Sequence, residues 1–468
     1  MNDHLLFAKK IKEKSGRSRV LLIMPPDIAP AVQPHLGLGL LADRLKSIDY
    51  NVLVVDYSYL ASLSSNLPNI EDILTVYSPN VIGVSLFSQY LHLSRRFIEL
   101  LHQKLPHTPI VIGGPHVSLG SDKVVSEILQ WPGVRTIVTG EAEADIVRII
   151  NNILDNTSEN VVNCVPVTMS DYRRPDFDCF IDGTELETYP IQLSRGCPYA
   201  CVFCNIEKLA GRKFRKRNIA DSIEEIKEAS RKYTKLRYIK VTDDAPNCDA
   251  DRFEAFIEQY IAKGFKAQLE VMQLRADHLT EKSCKLLKKA GQPFACIGVE
   301  SADSEVLRRV NKGETLEHIE RACGYIKASD LPLVLCFVLG LPWATWKSDL
   351  KSVKFASKAK PVHCYWNIAQ PMPGTKMYDY FLCNGTIYSE NTFNESSTQG
   401  NCLADTPEYS KLDRVKMRLI AQATTNELKK GSVKGLLLEA IHFGVFWHVL
   451  KGVLTTRPNI PGNIPRRW

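Results

Sequence analysis

Cys197, Cys201 and Cys204 stand at C-x3-C-x2-C spacing within Leu193-Ser194-Arg195-Gly196-Cys197-Pro198-Tyr199-Ala200-Cys201-Val202-Phe203-Cys204. Three thiolates on one short loop suit iron or zinc. A structural zinc asks for a fourth ligand close by, and the next thirty residues hold neither Cys nor His. The triad therefore leaves a coordination position open. An iron–sulfur cubane with one open iron fits best, because that iron can bind a substrate or cofactor directly.

The elements that must position this triad can be read on both sides of it. From Tyr189 to Leu382, six apolar strand-like runs recur: Ile191–Leu193, Tyr238–Thr242, Gln268–Gln273, Phe294–Val299, Val334–Leu339 and Cys364–Ile368. Helix-like stretches separate them, among them Asp221–Lys232, Asp251–Lys263, Glu281–Lys289 and Leu316–Ala328. A parallel α/β array of six units closes more naturally into a partial (β/α)6 barrel than into a flat sheet. Barrel sites sit at the carboxyl ends of strands, and the triad follows the first strand.

Upstream, Val20–Met24, Val52–Val55, Val81–Ser85, Ile110–Ile112 and Thr136–Val138 alternate with helix-length segments, the first over Leu36–Ile48. This is the rhythm of a doubly wound parallel sheet of about five strands. Ligands of such sheets bind outside the carboxyl ends of the strands. Here those ends carry Asp56, Ser85, Gly113-Gly114-Pro115 and Gly140-Glu141. Glycines there admit a large flat ligand to the backbone, or make only tight turns. Residues 153–188 read as a linker, because Asp171-Tyr172-Arg173-Arg174-Pro175-Asp176 has no helical or strand period. The expected organisation is an N-terminal domain over 1–152, that linker, a core over 189–382 and a helical C-terminal region over 383–468.

Composition narrows the class. A chain of 468 residues implies at least two domains. A net charge of +7, without zinc-finger, KH or RNP motifs, gives no case for nucleic acid. Ten of the 13 cysteines are scattered outside the triad, and Met1-Asn2-Asp3-His4 lacks the pattern of an export signal. Both features point to free thiols in a reducing cytoplasm. In Lys208–Arg217 six of ten residues are basic. That run is either a solvated loop or a lid that attracts an anionic substrate or reductase. Leu412–Lys429 reads as an amphipathic helix. The apolar stretch 433–454, interrupted by charges, reads as a core or dimer helix, with a peripheral membrane contact as the alternative.

The strand ends then give a specific resemblance. Cys197-Pro198-Tyr199-Ala200-Cys201-Val202-Phe203-Cys204 is followed in order by Thr242-Asp243-Asp244, Arg275-Ala276-Asp277, Ile297-Gly298-Val299-Glu300-Ser301, Gly340-Leu341-Pro342 and Pro371-Met372-Pro373-Gly374-Thr375. This ordered set resembles the radical SAM superfamily. The resemblance implies a [4Fe-4S] cluster on Cys197, Cys201 and Cys204, whose fourth iron takes the amine and carboxylate of S-adenosyl-L-methionine (SAM). It implies that Phe203 packs near adenine, or simply in the core. Asp243 or Asp244 would accept from the methionyl ammonium, or cap a helix. Arg275 would pair with the methionyl carboxylate, or form an interdomain salt bridge. Glu300 and Ser301 would hold the ribose, or form a plain turn. The Pro-Gly-Thr element would shape the barrel mouth.

Gly37-Leu38 after Pro34, Asp56, Ile112-Gly113-Gly114-Pro115-His116 and Gly140-Glu141-Ala142-Glu143 resemble the cobalamin-binding domain that precedes many radical SAM domains. This implies a flavodoxin-like sheet holding cobalamin by its corrin edge and nucleotide tail, with Ser85, Gly113, Gly114, Gly140 and Glu141 as contacts. The loop departs from the Asp-x-His-x-x-Gly form that supplies a cobalt ligand. His35 is out of that frame, which favours a capping or surface role over cobalt ligation, and the departure leaves loss of cobalamin open. The combination implies methylation of an unactivated carbon of a small-molecule or natural-product substrate, with a flavodoxin- or ferredoxin-type reductant. Cyclisation or rearrangement without methyl transfer, as in the bacteriochlorophyll ring cyclase, is the second class. A non-catalytic iron–sulfur carrier is the third, and the intact motif set argues against it.

Overall fold

The computed structural model describes residues 3–14, 18–26, 29–88, 91–388 and 402–425. The chain forms two compact units, one of residues 1–195 and 208–240, the other of 196–207 and 241–468.

The first unit is built on a parallel sheet. Its strands are β1 (Arg19–Met24), β2 (Asn51–Asp56), β3 (Val81–Ser85), β4 (Ile110–Gly113), β5 (Val134–Thr139) and β6 (Val161–Asn163), in the order β2-β1-β3-β4-β5-β6. Their continuous apolar runs follow from burial on both faces. Leu21, Ile23, Leu53, Val55, Ile82, Val84, Ile110 and Ile112 pack into one core. Residues between them in sequence, such as Leu22, Val111 and Val138, line a cavity with helices Leu36–Lys46 and Ile146–Leu154. The reversal of strand order beside β1 is the switch point at which such sheets take ligands.

All five expected strands are present, and a sixth, β6, comes from the stretch read as a linker. That stretch is packed rather than free. Val54 N donates to Cys179 O at 2.8 Å and Ile181 N to Val54 O at 3.1 Å, which extends the sheet at its β2 edge. Phe177, Phe180 and Ile181 are buried. Periodicity misses this segment because its apolar residues cluster between Asp and Arg instead of alternating.

The six later runs also form strands, within one to three residues of their expected bounds. They are β7 (Thr188–Ile191), β8 (Tyr238–Val241), β9 (Gln268–Val271), β10 (Ala295–Glu300), β11 (Leu333–Leu339) and β12 (His363–Ile368). β7 lies beside β8. In the second unit β10, β11 and β12 pair in parallel, and Leu274 bridges to Ile297, tying the end of β9 to β10. Leu333, Leu335, Phe337 and Leu339 are buried on one face, and on the other Val334 is buried while Cys336 and Val338 are half-buried. Capping boxes at Thr280/Ser283, Thr315/His318 and Thr345/Ser348 start three of the intervening helices. Helix Lys411–Thr425 packs on β12, where Trp366 Nε1 donates to Thr425 Oγ1 at 3.0 Å. The apolar stretch 433–454 lies outside the described residues. Among the described residues, no helix is long and apolar enough to cross a membrane.

Candidate cofactor-binding sites

The three-cysteine loop is held by hydrogen bonds from several strand ends. Gly196 N donates to Asp244 Oδ2 at 2.9 Å. Val202 N donates to Val310 O at 2.9 Å and accepts, through Val202 O, from Met377 N at 2.8 Å. Asn311 Nδ2 donates to Ala200 O at 3.1 Å. The Arg275 guanidinium lies 3.4 Å from the centroid of the Tyr199 ring, a cation–π contact. Thr375 caps helix Lys376–Asn384, which presents Met377 to the loop, so the Pro-Gly-Thr element helps to seat the loop.

Within the loop, burial raises the Cys201 thiol to about 11, opposed chiefly by the charge of Lys312. Burial raises Cys204 as well, and the Cys204 thiol feels that of Cys197. Cys197 is drawn down to about 7, first by a hydrogen bond with Cys248. Cys248 had the look of one more scattered thiol; only the fold brings it to the triad. Among the described residues no group of three or more His, Cys, Asp or Glu side chains forms a ready metal cage. The fit to a cluster rests on the donor set, three thiols on one anchored loop at a barrel strand end, which a metal binds by displacing their protons.

The residues expected around SAM divide. Asp243 is buried and Asp244 anchors the loop; neither caps the next helix, which Asp249 does. Phe203 is half-buried beside the buried Val202, which places it outside the core proper. Arg275 forms no interdomain bridge. Its Nε and Nη2 donate to Asp277 at 3.1 and 2.8 Å, and Nη2 donates to Lys312 O at 3.0 Å, all inside the second unit. Its fork is largely spent on a local clamp, which weakens the carboxylate role. Ser301 is wholly buried and its Oγ accepts from Asp303 N at 3.2 Å, which ties it into the turn after β10. Glu300 has φ 61°, a strained conformation for a side-chain-bearing residue. Its Oε1 accepts from Lys312 Nζ at 2.9 Å. Lys312 and Glu314, which the sequence reading did not single out because they lie past the strand end in a short turn, pair with Glu300 and Arg275.

In the first unit, a cavity of about 210 Å³ opens between the sheet and its two covering helices. All five residues expected at cobalamin, Ser85, Gly113, Gly114, Gly140 and Glu141, line it. Its walls are mostly aliphatic, which suits the flat ring of a nucleotide tail. A Cβ at Gly113 would find its nearest neighbour at 3.7 Å, leaving that edge open to a ligand. Gly114 and Gly140 are glycine for a different reason. At φ 99° a Cβ on Gly114 would meet Leu86 N and O at 2.7 Å, and one on Gly140 would stand 2.2 Å from Cys164 O. Those two serve the chain's own turns.

His35 caps helix Leu36–Lys46: Leu38 N donates to His35 Nδ1 at 3.2 Å, and His35 N donates to Asp56 Oδ2 at 2.7 Å. Burial lowers its pKa to about 4, so it is neutral at pH 7. With Nδ1 accepting, the proton sits on Nε2, which makes the ring a donor and not a metal ligand. The capping role expected for it is the observed one.

Glu141 is bound up in ion pairs. Its carboxylate accepts from Arg195 Nη1 at 3.0 Å, Arg215 Nη1 at 2.8 Å and Val167 N at 2.8 Å. Arg195 also donates to Glu143 Oε1 at 2.6 Å. Glu141 therefore shapes the cavity rim instead of reaching into it. Arg215 and Arg217, from the basic run, are consumed by Glu141 and Glu225. Lys208, Arg212, Lys213 and Lys216 remain exposed, so four of the six charges face solvent.

A family model of the radical SAM superfamily matches residues 191–356, and one of the B12 binding domain matches residues 29–150. The chain is a radical SAM protein with a B12-binding domain. It is 23% identical over 401 residues to an uncharacterized methyltransferase of Pyrococcus horikoshii, covering 80% of this chain and 85% of that one. It is 23% identical over 372 residues to the anaerobic magnesium-protoporphyrin IX monomethyl ester cyclase of Rubrivivax gelatinosus, covering 74% of this chain and 66% of that one. The fold matches that of the radical S-adenosylmethionine methyltransferase TsrM from Kitasatospora setae, solved with cobalamin and a [4Fe-4S] cluster bound. The TM-score is 0.65 at 16% identity, over 80% of this chain and 76% of TsrM. In this radical SAM protein the strand ends expected at the cluster all lie inside or just beyond the matched 191–356 segment, except the Pro-Gly-Thr element.

Proposed function

We propose that this chain is a cobalamin-dependent radical SAM methyltransferase acting on an unactivated carbon of a small-molecule or natural-product substrate. The observation that carries this is the presence, in one chain, of an anchored three-cysteine loop at barrel strand ends and an aliphatic cavity edged by Gly113 at the switch point of a doubly wound sheet. When bound, the cluster and SAM supply one-electron chemistry that makes a hydrogen-abstracting radical, and cobalamin supplies the methyl group.

The chain's own groups position and shield. Asp244, Val310 and Met377 fix the loop. Asp243 and Glu300 offer carboxylates to the cationic and hydroxyl-bearing ends of SAM. The exposed lysines and arginine of Lys208–Lys216 favour an acidic reductant of the flavodoxin or ferredoxin class. Likeness to the Rubrivivax gelatinosus cyclase supports a second reading, ring closure or rearrangement without methyl transfer.

The test is product analysis with SAM deuterated at the methyl group, using anaerobically reconstituted protein and candidate substrates. Methylation gives labelled product together with S-adenosylhomocysteine and 5′-deoxyadenosine. Rearrangement gives 5′-deoxyadenosine and unlabelled product. Reconstituted protein that takes up no cobalamin would sink the methylation reading.

A further inference from the structure

The turn Val310–Glu314 forms the bed of the three-cysteine loop. Besides the Val202–Val310 and Asn311–Ala200 hydrogen bonds, a Cβ on Gly313 would come within 3.3 Å of the Tyr199 ring. In the middle of this turn stands Lys312, a buried lysine. Its Nζ donates to Gly298 O at 2.8 Å and to Glu300 Oε1 at 2.9 Å, and lies 3.5 Å from Glu314 Oε2. A buried ammonium is costly unless paired and hydrogen-bonded. A purely structural tie between strand end and turn would explain the pairing. It does not explain why the backbone of Glu300 is held at φ 61° to make it. Nor does it explain why the charge is kept in the very turn whose neighbours Val310 and Asn311 hold the three-cysteine loop at Val202 and Ala200.

We propose that Lys312 is a positioning residue for the cluster: a fixed, buried cation that stabilises the added negative charge when the cluster accepts one electron, and so raises its reduction potential. This rests on the cluster assigned to Cys197, Cys201 and Cys204 in the proposed function. Charge and hydrogen bonding around the sulfurs are main determinants of such potentials, and the low dielectric of a buried site keeps the charge effective. Glu300 opposes Lys312 and sets how much of its field reaches the loop.

The test is a potentiometric titration of full-length, anaerobically reconstituted protein without SAM, followed by EPR of the reduced cluster, with iron and sulfide counted in each variant. In Lys312→Met the ratio of reduced to oxidised cluster at a fixed potential falls at least tenfold, which is ~59 mV for a one-electron couple. Lys312→Arg restores it, and Glu300→Gln moves the midpoint the other way. A Lys312→Met midpoint equal to wild type at full iron content overturns the proposal, as does an Arg variant that stays shifted. If Lys312→Met takes up no iron while Lys312→Arg does, the charge requirement is upheld. If both fail, the Glu300→Gln midpoint decides: a positive shift upholds the proposal and no shift overturns it. Wild-type protein that binds no cluster sinks the proposed function instead.

Discussion

At the scale of single residues, the fold separates thiols that spacing alone had left unranked. Cys248 lowers the Cys197 thiol through a shared hydrogen bond, although 50 residues lie between Cys197 and Cys248's place at the end of the next strand unit. Four sulfurs thus stand near one loop, and three of them are on it. Alanine at Cys197, Cys201 or Cys204 removes a donor that the loop cannot replace, so each variant loses most of its iron and all turnover. Cys248→Ala keeps about four irons per chain, the content of a [4Fe-4S] centre. Iron and sulfide analysis with the visible spectrum checks this, and a Cys248→Ala variant devoid of iron would make Cys248 a ligand. The triad was legible because its donors are adjacent in sequence. Lys312 and Cys248 were not, since each reaches the loop only through tertiary folding, and a lone Lys in a turn reads as a solvated charge. Ser301 stands at its expected motif position, and its burial with Oγ accepting from Asp303 N could not be read from the sequence.

At the scale of elements, strands such as β1 to β4 were the most legible feature because burial on both faces leaves their middles almost wholly apolar. The strand β6 and the edge segment Cys179–Ile181 escaped notice, since short irregular pieces carry no period. The turn after β4 carries a further consequence. His116 N donates to Leu86 O at 3.0 Å, and its ring shares a hydrogen bond with Ser88 Oγ at 3.0 Å. Burial lowers the His116 pKa from 6.5 to about 4. The folded chain therefore resists protonation that the unfolded chain accepts. Stability from this group is complete above pH 6.5 and is lost as pH falls toward 4, by about 3 kcal/mol if the shift is full. Asp56 acts the other way, because burial raises it to about 6 and it takes up a proton more readily when folded. The net slope mixes both, so the variant comparison isolates His116. His116→Gln flattens the loss of urea midpoint between pH 6.5 and 4.5 relative to wild type, at some cost in stability at pH 7. Equal slopes in the two proteins would show that the imidazole is not held neutral.

At the scale of the whole molecule, the domain limit that the sequence suggests at residue 152 falls inside the first compact unit. The first compact unit runs to Arg195 and takes in 208–240 as well. Truncation at 152 removes β6 from the sheet edge and strips Phe177, Phe180 and Ile181 from their buried positions. It also removes every partner of the Glu141 carboxylate: Arg195, Arg215 and Val167 N. Glu141 is then returned to water without its partners, so the order that its ion pairs give the cavity rim is lost, and a small domain has only about 5–15 kcal/mol in total. Burial of three large apolar side chains is lost in addition. A fragment of residues 1–152 is thus expected to be aggregation-prone or to unfold at markedly lower urea than the same unit in the intact chain. Far-UV circular dichroism in a urea series reads this directly. A 1–152 fragment that melts cooperatively at the midpoint of the intact chain's first transition would show that the connector and the arginine pairs are dispensable. The cavity rim at Gly140–Glu141 would then owe nothing to the strand that leads into the cysteine loop. The expected result instead makes the Glu141–Arg195 pair part of what shapes the cavity of the first unit, because Arg195 is anchored by Glu141 and Glu143 two residues before Cys197.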